Sequence, residues 1–431
     1  MIYSSIKKVV YALVSILLLS LQVFPQSQTA SVGGLITDGS GSVLTGVIVS
    51  AVNAATGFRA SATSNASGAY LVRDLPIGSY EITVTHPGFR TYVREGLVLT
   101  TGQALSLDIS LEVGSVTESV VVVDEAPLLE TRTSDTSQLV ESRSVQDIPL
   151  GDRRTLNVIN ITGAAVFVSY DSGGKPNFSL AGGRTQSQNF YMDGGTIQNM
   201  RLGIGQVDTD PPVETVAEVK VLQNNYTAEF GGSAGGVIVA TTKSGTNQLR
   251  GSLYEYLRND KLDAANFFAP YQNGEKQRPP LRYNIFGGTV GGPIFIPKLY
   301  DGRNKSFFFF SYEGSRRREG YSTQLTVPTE AQRAGDFSQT LAANGNLIPI
   351  FDPLSNQIVN GRVQRTQYVD NRIPLSQIDP VGAAFLRFYP QQNQAASNLA
   401  GANNYATNYA QILTRNAFLV KGDHAFSDKD R

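Results

Sequence analysis

Residues 226–259 read YTAEFGGSAGGVIVATTKSGTNQLRGSLYEYLRN, and they join two kinds of β structure. A Gly-rich turn at 231–236 leads into the β-branched run 237–241, which is compact and small-sided. The joint Thr242-Lys243-Ser244-Gly245-Thr246-Asn247 follows. Beyond it Leu253, Glu255 and Leu257 fall on one face of a strand, and Tyr254, Tyr256 and Arg258 on the other, because successive strand residues point to opposite sides. A small-sided strand suits a packed core, whereas an aromatic-lined one suits a curved wall.

The composition agrees with a chain built mostly of strands. The 431 residues leave room for two or three domains. Gly (42) and the sum of Tyr and Phe (19 and 21) are high, charged residues make up only 17%, and short apolar runs are punctuated by turn residues. A formal net charge of zero gives no basic face for nucleic acid. Zero cysteines exclude a disulfide framework, a thiolate zinc site and a cysteine nucleophile, and are compatible with an oxidising compartment.

At the N-terminus Lys7 and Lys8 precede an apolar run at 9–21, and Gln26-Ser27-Gln28-Thr29 follows. This is the pattern of a secretory signal peptide over residues 1–28. The run is shorter than the roughly 20 residues a spanning helix needs. Membrane insertion of this chain would therefore use a β-barrel, the other way to satisfy every backbone group in lipid.

Residues 29–112 read as a β-sandwich. Strands are expected at 32–36, 47–53, 57–63, 69–73, 79–86, 89–93 and 104–111, with turns at Asp38-Gly39-Ser40-Gly41, Asn65-Ala66-Ser67-Gly68, Pro76-Ile77-Gly78 and Pro87-Gly88. Tyr80, Ile82 and Val84 alternate with Glu81, Thr83 and Thr85, as in a half-buried strand. The segments Ser67-Gly68-Ala69-Tyr70, Leu75-Pro76-Ile77-Gly78-Ser79-Tyr80 and Pro87-Gly88-Phe89 resemble the carboxypeptidase regulatory-like domain. That resemblance implies a transthyretin-like, carbohydrate-binding-like fold. A zinc carboxypeptidase needs clustered histidines and carboxylates. The only histidines here, His86 and His424, stand far apart, so no metal site, catalytic residue or cofactor is expected.

Residues 113–125 (VGSVTESVVVVDE) form a linker with a four-valine run. Two roles are open to it. Glu118, Ser119, Val120, Val121, Val122 and Val123 suit a strand that adds to a partner's sheet edge, or else they form the last strand of the sandwich or the first of the next domain. From 126 to 245 short strands alternate with turns, after a helical region at 144–161. In order come a strand ending in Gly183-Arg184, a strand ending in Asp193-Gly194, the strand Val216-Ala217-Glu218-Val219-Lys220-Val221, and a Gly-rich turn opening at Glu229-Phe230-Gly231. Gly194 is expected to take a positive φ. Neither Gly203-x-Gly205 nor 231–236 completes a phosphate-binding loop.

This ordered set resembles the plug of TonB-dependent outer-membrane receptors of the Oar-like group, and 226–259 resembles the joint between plug and first wall strand. In that family the valine run would be the segment that TonB binds, powered through ExbB and ExbD. Gly183, Arg184, Asp193, Gly194, Glu229 and Gly231 would be plug motif residues. Arg184 and Glu229 would either pair with wall charges or remain solvated turn residues.

Residues 246–431 are expected to hold the start of a barrel. Strands are read at 282–290, broken by Gly291-Gly292-Pro293, at 306–312 (SFFFFSY) and at 416–426, with a long extracellular loop over roughly 313–414. About four such strands are fewer than the eight of the smallest bacterial barrels, so the expectation is an N-terminal portion of a longer receptor. The fold class expected is mainly β: a transthyretin-like sandwich, an α+β plug, and the first few strands of an incomplete transmembrane barrel. The function implied is uptake of a small ligand or glycan across the outer membrane of a Gram-negative bacterium, with sandwich and plug reached from the periplasm and lipid around the wall. The alternative is a secreted or surface all-β carbohydrate-binding or adhesive protein.

Overall fold

The computed structural model describes residues 29–115, 119–122, 135–148, 153–170, 176–198, 210–227, 230–265, 267, 271–272, 275–276 and 278–426. The leader expected at 1–28 lies outside them. The described chain packs as two units, one of Met1–Tyr254, Gly287–Glu313 and Asn416–Arg431, the other of Glu255–Phe286 and Gly314–Arg415.

The N-terminal sandwich has strands β1 (Ala30–Asp38), β2 (Ile48–Asn53), β3 (Arg59–Thr63), β4 (Ala69–Leu75), β5 (Gly78–Thr85), β6 (Thr91–Leu99), β7 (Ala104–Ser106), β8 (Ile109–Leu111) and β9 (Ser119–Val122). One sheet runs β4-β1-β7, with β8 also on β1, and the other runs β3-β2-β5-β6-β9. Alternation decides the inward face: Tyr80, Ile82 and Val84 are buried with Val49, Ala51, Tyr70, Val72 and Leu105. Two tyrosines bury their rings and still satisfy their hydroxyls, Tyr70 Oη donating to Leu107 O and Tyr80 Oη to Pro76 O, both at 2.7 Å.

The strand expected at 104–111 is instead two. At Leu107-Asp108 the ladder is interrupted, and the Asp108 carboxylate accepts the Leu35 N–H at 2.8 Å in place of a carbonyl. The Leu107 carbonyl lies so near Gly34 that a Cβ there would stand 2.1 Å from it, so only glycine fits.

The second region begins at β10 (Thr136–Glu141), followed by the short helix Ser142–Asp147 and a 3-10 turn at Thr155–Ile161. Strands β11 (Ala165–Tyr170) and β12 (Pro176–Leu180) make a hairpin of their own. Strands β13 (Asn189–Met192), β14 (Gly195–Thr196), β15 (Val216–Asn224) and β16 (Val237–Thr242) complete a five-stranded sheet ordered β10-β15-β16-β13-β14. The central β16 is apolar on both faces, Val237 and Val239 packing with Leu222 and Ile238 and Ala240 with Phe178, Phe190 and Val221. That burial explains the unbroken run of small β-branched residues.

The chain then passes through 243–249 into β17 (Arg250–Asn259). After the two-residue strands β18 (Tyr271–Gln272) and β19 (Glu275–Lys276) come β20 (Leu281–Pro293), β21 (Phe295–Ile296), β22 (Tyr300–Asp301) and β23 (Ser306–Leu325). A long connection holds the hairpin β24 (Gln357–Val359) and β25 (Arg362–Gln364) and the helices Glu330–Arg333 and Pro380–Leu386, before β26 (Tyr405–His424). Strands β17, β20, β23 and β26 form one sheet in that order, the wall.

Three expectations about the wall are corrected. Gly291-Gly292-Pro293 does not break its strand. Gly291 lies against the Phe309 ring and Gly292 against Leu249, so the glycines keep the ladder by making room. The strand expected to stop at Tyr312 runs on to Leu325, and the last strand starts at Tyr405, so the loop spans 326–404 rather than 313–414. Charged residues carry that extension: Arg317 pairs with Glu319, Arg316 lies over Phe286 and Arg317 over Tyr283, and Tyr321 stacks on Tyr409. At about 3.3 Å per residue, 20 residues reach roughly 66 Å, far beyond the ~25 Å apolar band of an outer-membrane wall. The surplus carries polar residues and does not read as a membrane strand by hydrophobicity.

Candidate functional site

The turn after β13 is where the plug sheet meets the wall. Asp193 and Gly194 both have positive φ, 48° and 83°, the geometry of a tight hairpin into β14. Asp193 tolerates it because short polar side chains visit this region more readily than others. Its carboxylate then reaches across to the end of β16. Oδ1 accepts the Thr242 N–H at 2.9 Å and Oδ2 the Thr242 hydroxyl at 2.5 Å. From the inward face of β26, Lys421 Nζ approaches Asp193 Oδ1 at 3.5 Å, and stands 3.3 Å from Thr242 Oγ1 and 3.4 Å from its carbonyl. One carboxylate thus ties two plug strands together and pairs them with a wall cation.

The other plug motif residues are structural in a different way. Gly183 closes the turn after β12: its N–H bonds Leu180 O at 2.9 Å, its carbonyl accepts the Ser179 hydroxyl at 2.6 Å, and Gly235 Cα passes 3.0 Å from where its Cβ would be. Gly231 O accepts the Asn189 side-chain amide at 2.8 Å. Downstream, Gly236 has a φ of 92°, and a Cβ there would meet the Leu222 carbonyl at 2.7 Å.

Arg184 forms no ion pair with any described residue, so of the two readings left open for it the wall pairing is not seen; the wall charge is met by Asp193. Glu229 lies outside the described residues. Lys421 had no signal in the sequence, since 228 positions separate it from Asp193.

The valine run is placed in part. Ser119–Val122 are β9, paired parallel to β6 with Thr91 opposite Ser119 and Arg94 opposite Val122. Glu118 and Val123 lie outside the described residues. Of the roles left open, β9 occupies that of last sandwich strand. Among the described residues it is also an edge strand, attached to its sheet on one side only.

The region also carries contacts between the sandwich and the rest of the unit. The turn between β6 and β7 places the Thr101 N–H on Glu218 Oε1 at 2.5 Å and its hydroxyl 2.7 Å from that of Thr241. Burial holds the Glu218 carboxyl above the usual carboxylate range, against the opposing pull of the Thr101 hydrogen bond and Lys220. Among the described residues no three of His, Asp and Glu are grouped to hold a metal ion.

Comparison with known proteins adds to this geometry. Residues 241–431 match the family described as outer membrane beta barrel domain, and residues 31–112 match the carboxypeptidase regulatory-like domain. The TonB-dependent transporter Oar of Myxococcus xanthus is 24% identical over 327 residues, covering 74% of this chain and 29% of that protein. The chain therefore spans less than a third of the length of that relative. Among solved structures, the siderophore receptor PirA of Acinetobacter baumannii aligns at 16% identity over 43% of this chain and 28% of that one, with a TM-score of 0.31. FpvA of P. aeruginosa aligns at 16% identity over 45% and 23%, with a TM-score of 0.32.

Proposed function

We propose that this chain, which is similar to the TonB-dependent transporter Oar and matches the outer membrane beta barrel domain, serves in energised uptake of a small ligand or glycan into the periplasm. The observation that carries the proposal is the seat of the plug sheet on the wall: β16 runs through 243–249 into β17, while Asp193 and Thr242 meet Lys421 on β26. A plug held to the wall by a few polar contacts both blocks passage and can be displaced. The wall lies in outer-membrane lipid, and the chain performs no covalent chemistry of its own.

In this reading the segment 118–123 is the strand that TonB takes, with ExbB and ExbD supplying the force. Its placement suits the task. β9 is four residues long, at a sheet edge and parallel, the weaker ladder per residue. Freeing it breaks a few hydrogen bonds of about 0.5–1.5 kcal/mol net each, which strand addition to another sheet replaces in kind. The same segment serves as last sandwich strand at rest and as TonB strand when engaged.

The test is titration of the membrane-embedded protein with the C-terminal domain of TonB. Val120→Pro and Val121→Pro together remove two N–H donors and should abolish binding without affecting insertion into the outer membrane. Binding unchanged by both substitutions would remove 118–123 from the role. Release of the protein from the envelope as a soluble monomer, without detergent, would instead favour a surface carbohydrate-binding or adhesive protein.

A further inference from the structure

The N-terminal sandwich touches two parts of the molecule that must separate if the plug is to move, and it touches both through turns. The first is the corner Thr100-Thr101-Gly102-Gln103, closed by Gln103 N–H on Thr100 O. A corner threonine beside a glycine is ordinarily solvent-exposed, yet Thr101 is 2% exposed, because the plug strands β15 and β16 cover it through Glu218 and Thr241.

The second is the β2–β3 turn. There the Ala55 carbonyl accepts the Asn247 N–H at 2.9 Å, just before β17 begins. Asn247 in turn exchanges hydrogen bonds with Asn304 in the β22–β23 turn of the wall, 2.6 Å from its side-chain amide to Asn304 Oδ1 and 2.8 Å back from the Asn304 N–H. Gly57 sits so close that a Cβ there would lie 2.2 Å from Asn304 Oδ1. Its φ of 70° lies in the left-handed region, and any side chain there would push the Asn304 amide aside.

From these two contacts we infer that the sandwich is a strap, which binds plug strands β15–β16 at one turn and, at the other, Asn247 at the joint together with the β22–β23 turn of the wall, and so holds the plug in its seat. The joint is built to let go. Beside Thr101 lies an open pocket of about 190 Å³, lined from the sandwich by Gln103 and Ala104 and from the plug by Asp135, Lys220, Leu222 and Phe230. Few direct bonds beside an unfilled gap make an attachment that holds at rest and yields to a pull. The strap rests on the contacts alone, and stands or falls independently of which ligand passes or whether TonB takes 118–123.

The absence of cysteine from these 431 residues simplifies the test, with any cysteine encoded elsewhere in the gene first replaced by serine. In the protein expressed from its own gene and inserted in the outer membrane, the pair Thr101→Cys with Thr241→Cys should close a disulfide on air oxidation, as the two hydroxyls are already in contact. The strap is then cut from the sandwich side alone. Thr101→Pro deletes the N–H and the hydroxyl at a turn position where proline is favoured before a glycine of positive φ. Gly57→Asn keeps a residue that tolerates positive φ but drives a side chain into Asn304.

In the Thr101→Pro/Gly57→Asn background, maleimide labelling of Val239→Cys, buried in β16, should speed at least tenfold. Labelling of Val49→Cys in the sandwich core should stay as slow as before. A thiol pair that remains free, or a Val239→Cys rate unmoved by the cut, overturns the inference. If Val49→Cys also speeds, the sandwich has opened and the thiol pair alone decides.

Discussion

Substitution of Asp193 should loosen the plug sheet by an amount the structure allows to be worked out. Its carboxylate accepts two hydrogen bonds from Thr242, at 2.9 and 2.5 Å, at a residue 1% exposed. A hydrogen bond to a charged group contributes about 1.5–3 kcal/mol. Asp193→Asn keeps the positive φ, which asparagine accepts. It also keeps one carbonyl acceptor for the Thr242 N–H, and its amide can donate to the Thr242 hydroxyl, which rotates to accept, so both contacts persist without the charge. The loss is therefore about 2–3 kcal/mol, two charged hydrogen bonds made neutral. At tenfold per ~1.4 kcal/mol, exchange of the Thr242 amide with deuterium should quicken by roughly 30- to 150-fold.

Lys421→Met tests the wall side of the same contact. The pair at 3.5 Å is partly exposed, 24% and 33% for the two side chains. It should therefore contribute only about 0.5–1 kcal/mol, a two- to fivefold change in the same exchange rate. Once Asp193 is uncharged the lysine has lost its ion-pair partner and keeps only long contacts to Thr242, so the double variant should exchange within about twofold of Asp193→Asn alone, a non-additivity expected of residues in contact. The assay is hydrogen exchange by mass spectrometry on the peptide containing Thr242, in membranes. If Asp193→Asn leaves that amide within about threefold of the unaltered protein, the carboxylate does not hold β16 and the account of the plug seat is wrong.

Three further outcomes follow from the same structure. Burial raises the Glu218 carboxyl above its ordinary value, so between the two values the folded state holds more protons than the unfolded one, and plug stability should fall as pH rises through that window. Glu141 opposite it in the ladder and Lys220 two residues on are the charges that face it, and Glu218→Gln should flatten the dependence of plug melting on pH; an unchanged slope would assign it elsewhere. Gly34→Ala forces a methyl against the Leu107 carbonyl and should cost the sandwich about 1–3 kcal/mol, seen as a lower urea midpoint for sandwich unfolding, and an unaltered midpoint would contradict the close approach. Tyr70→Phe leaves the Leu107 carbonyl without its donor and should cost about 1 kcal/mol by the same measurement, with a gain in stability as the contrary result.

Local patterning carried most of the architecture. The alternation of Tyr80, Ile82 and Val84 with polar neighbours, the turn residues between strands, the apolar run of β16 and the change to an aromatic-lined strand after Asn247 are properties of residues two to six apart. Periodicity therefore assigns their faces before any tertiary contact is known. The Asp193-Gly194 turn is legible for the same reason, since backbone sterics there depend on two residues only. Where the expectation failed, hydrophobicity was the wrong guide. β23 continues to Leu325 on arginines and glutamate held by cross-strand rings and ion pairs, and Gly291-Gly292 stays in a strand because Phe309 and Leu249 need the space.

The sequence by itself determined the kinds of structure present and their order: a sandwich, a plug, and a wall begun at the joint in 226–259. Only the tertiary structure decided what holds them together. Asp193 meets Lys421, Thr101 meets Glu218, and Gly57 lies against Asn304, across separations of 228, 117 and 247 positions. No period or spacing encodes such pairs. They arise where separately specified surfaces come into register, and a residue's partner there is set by the path of the whole chain.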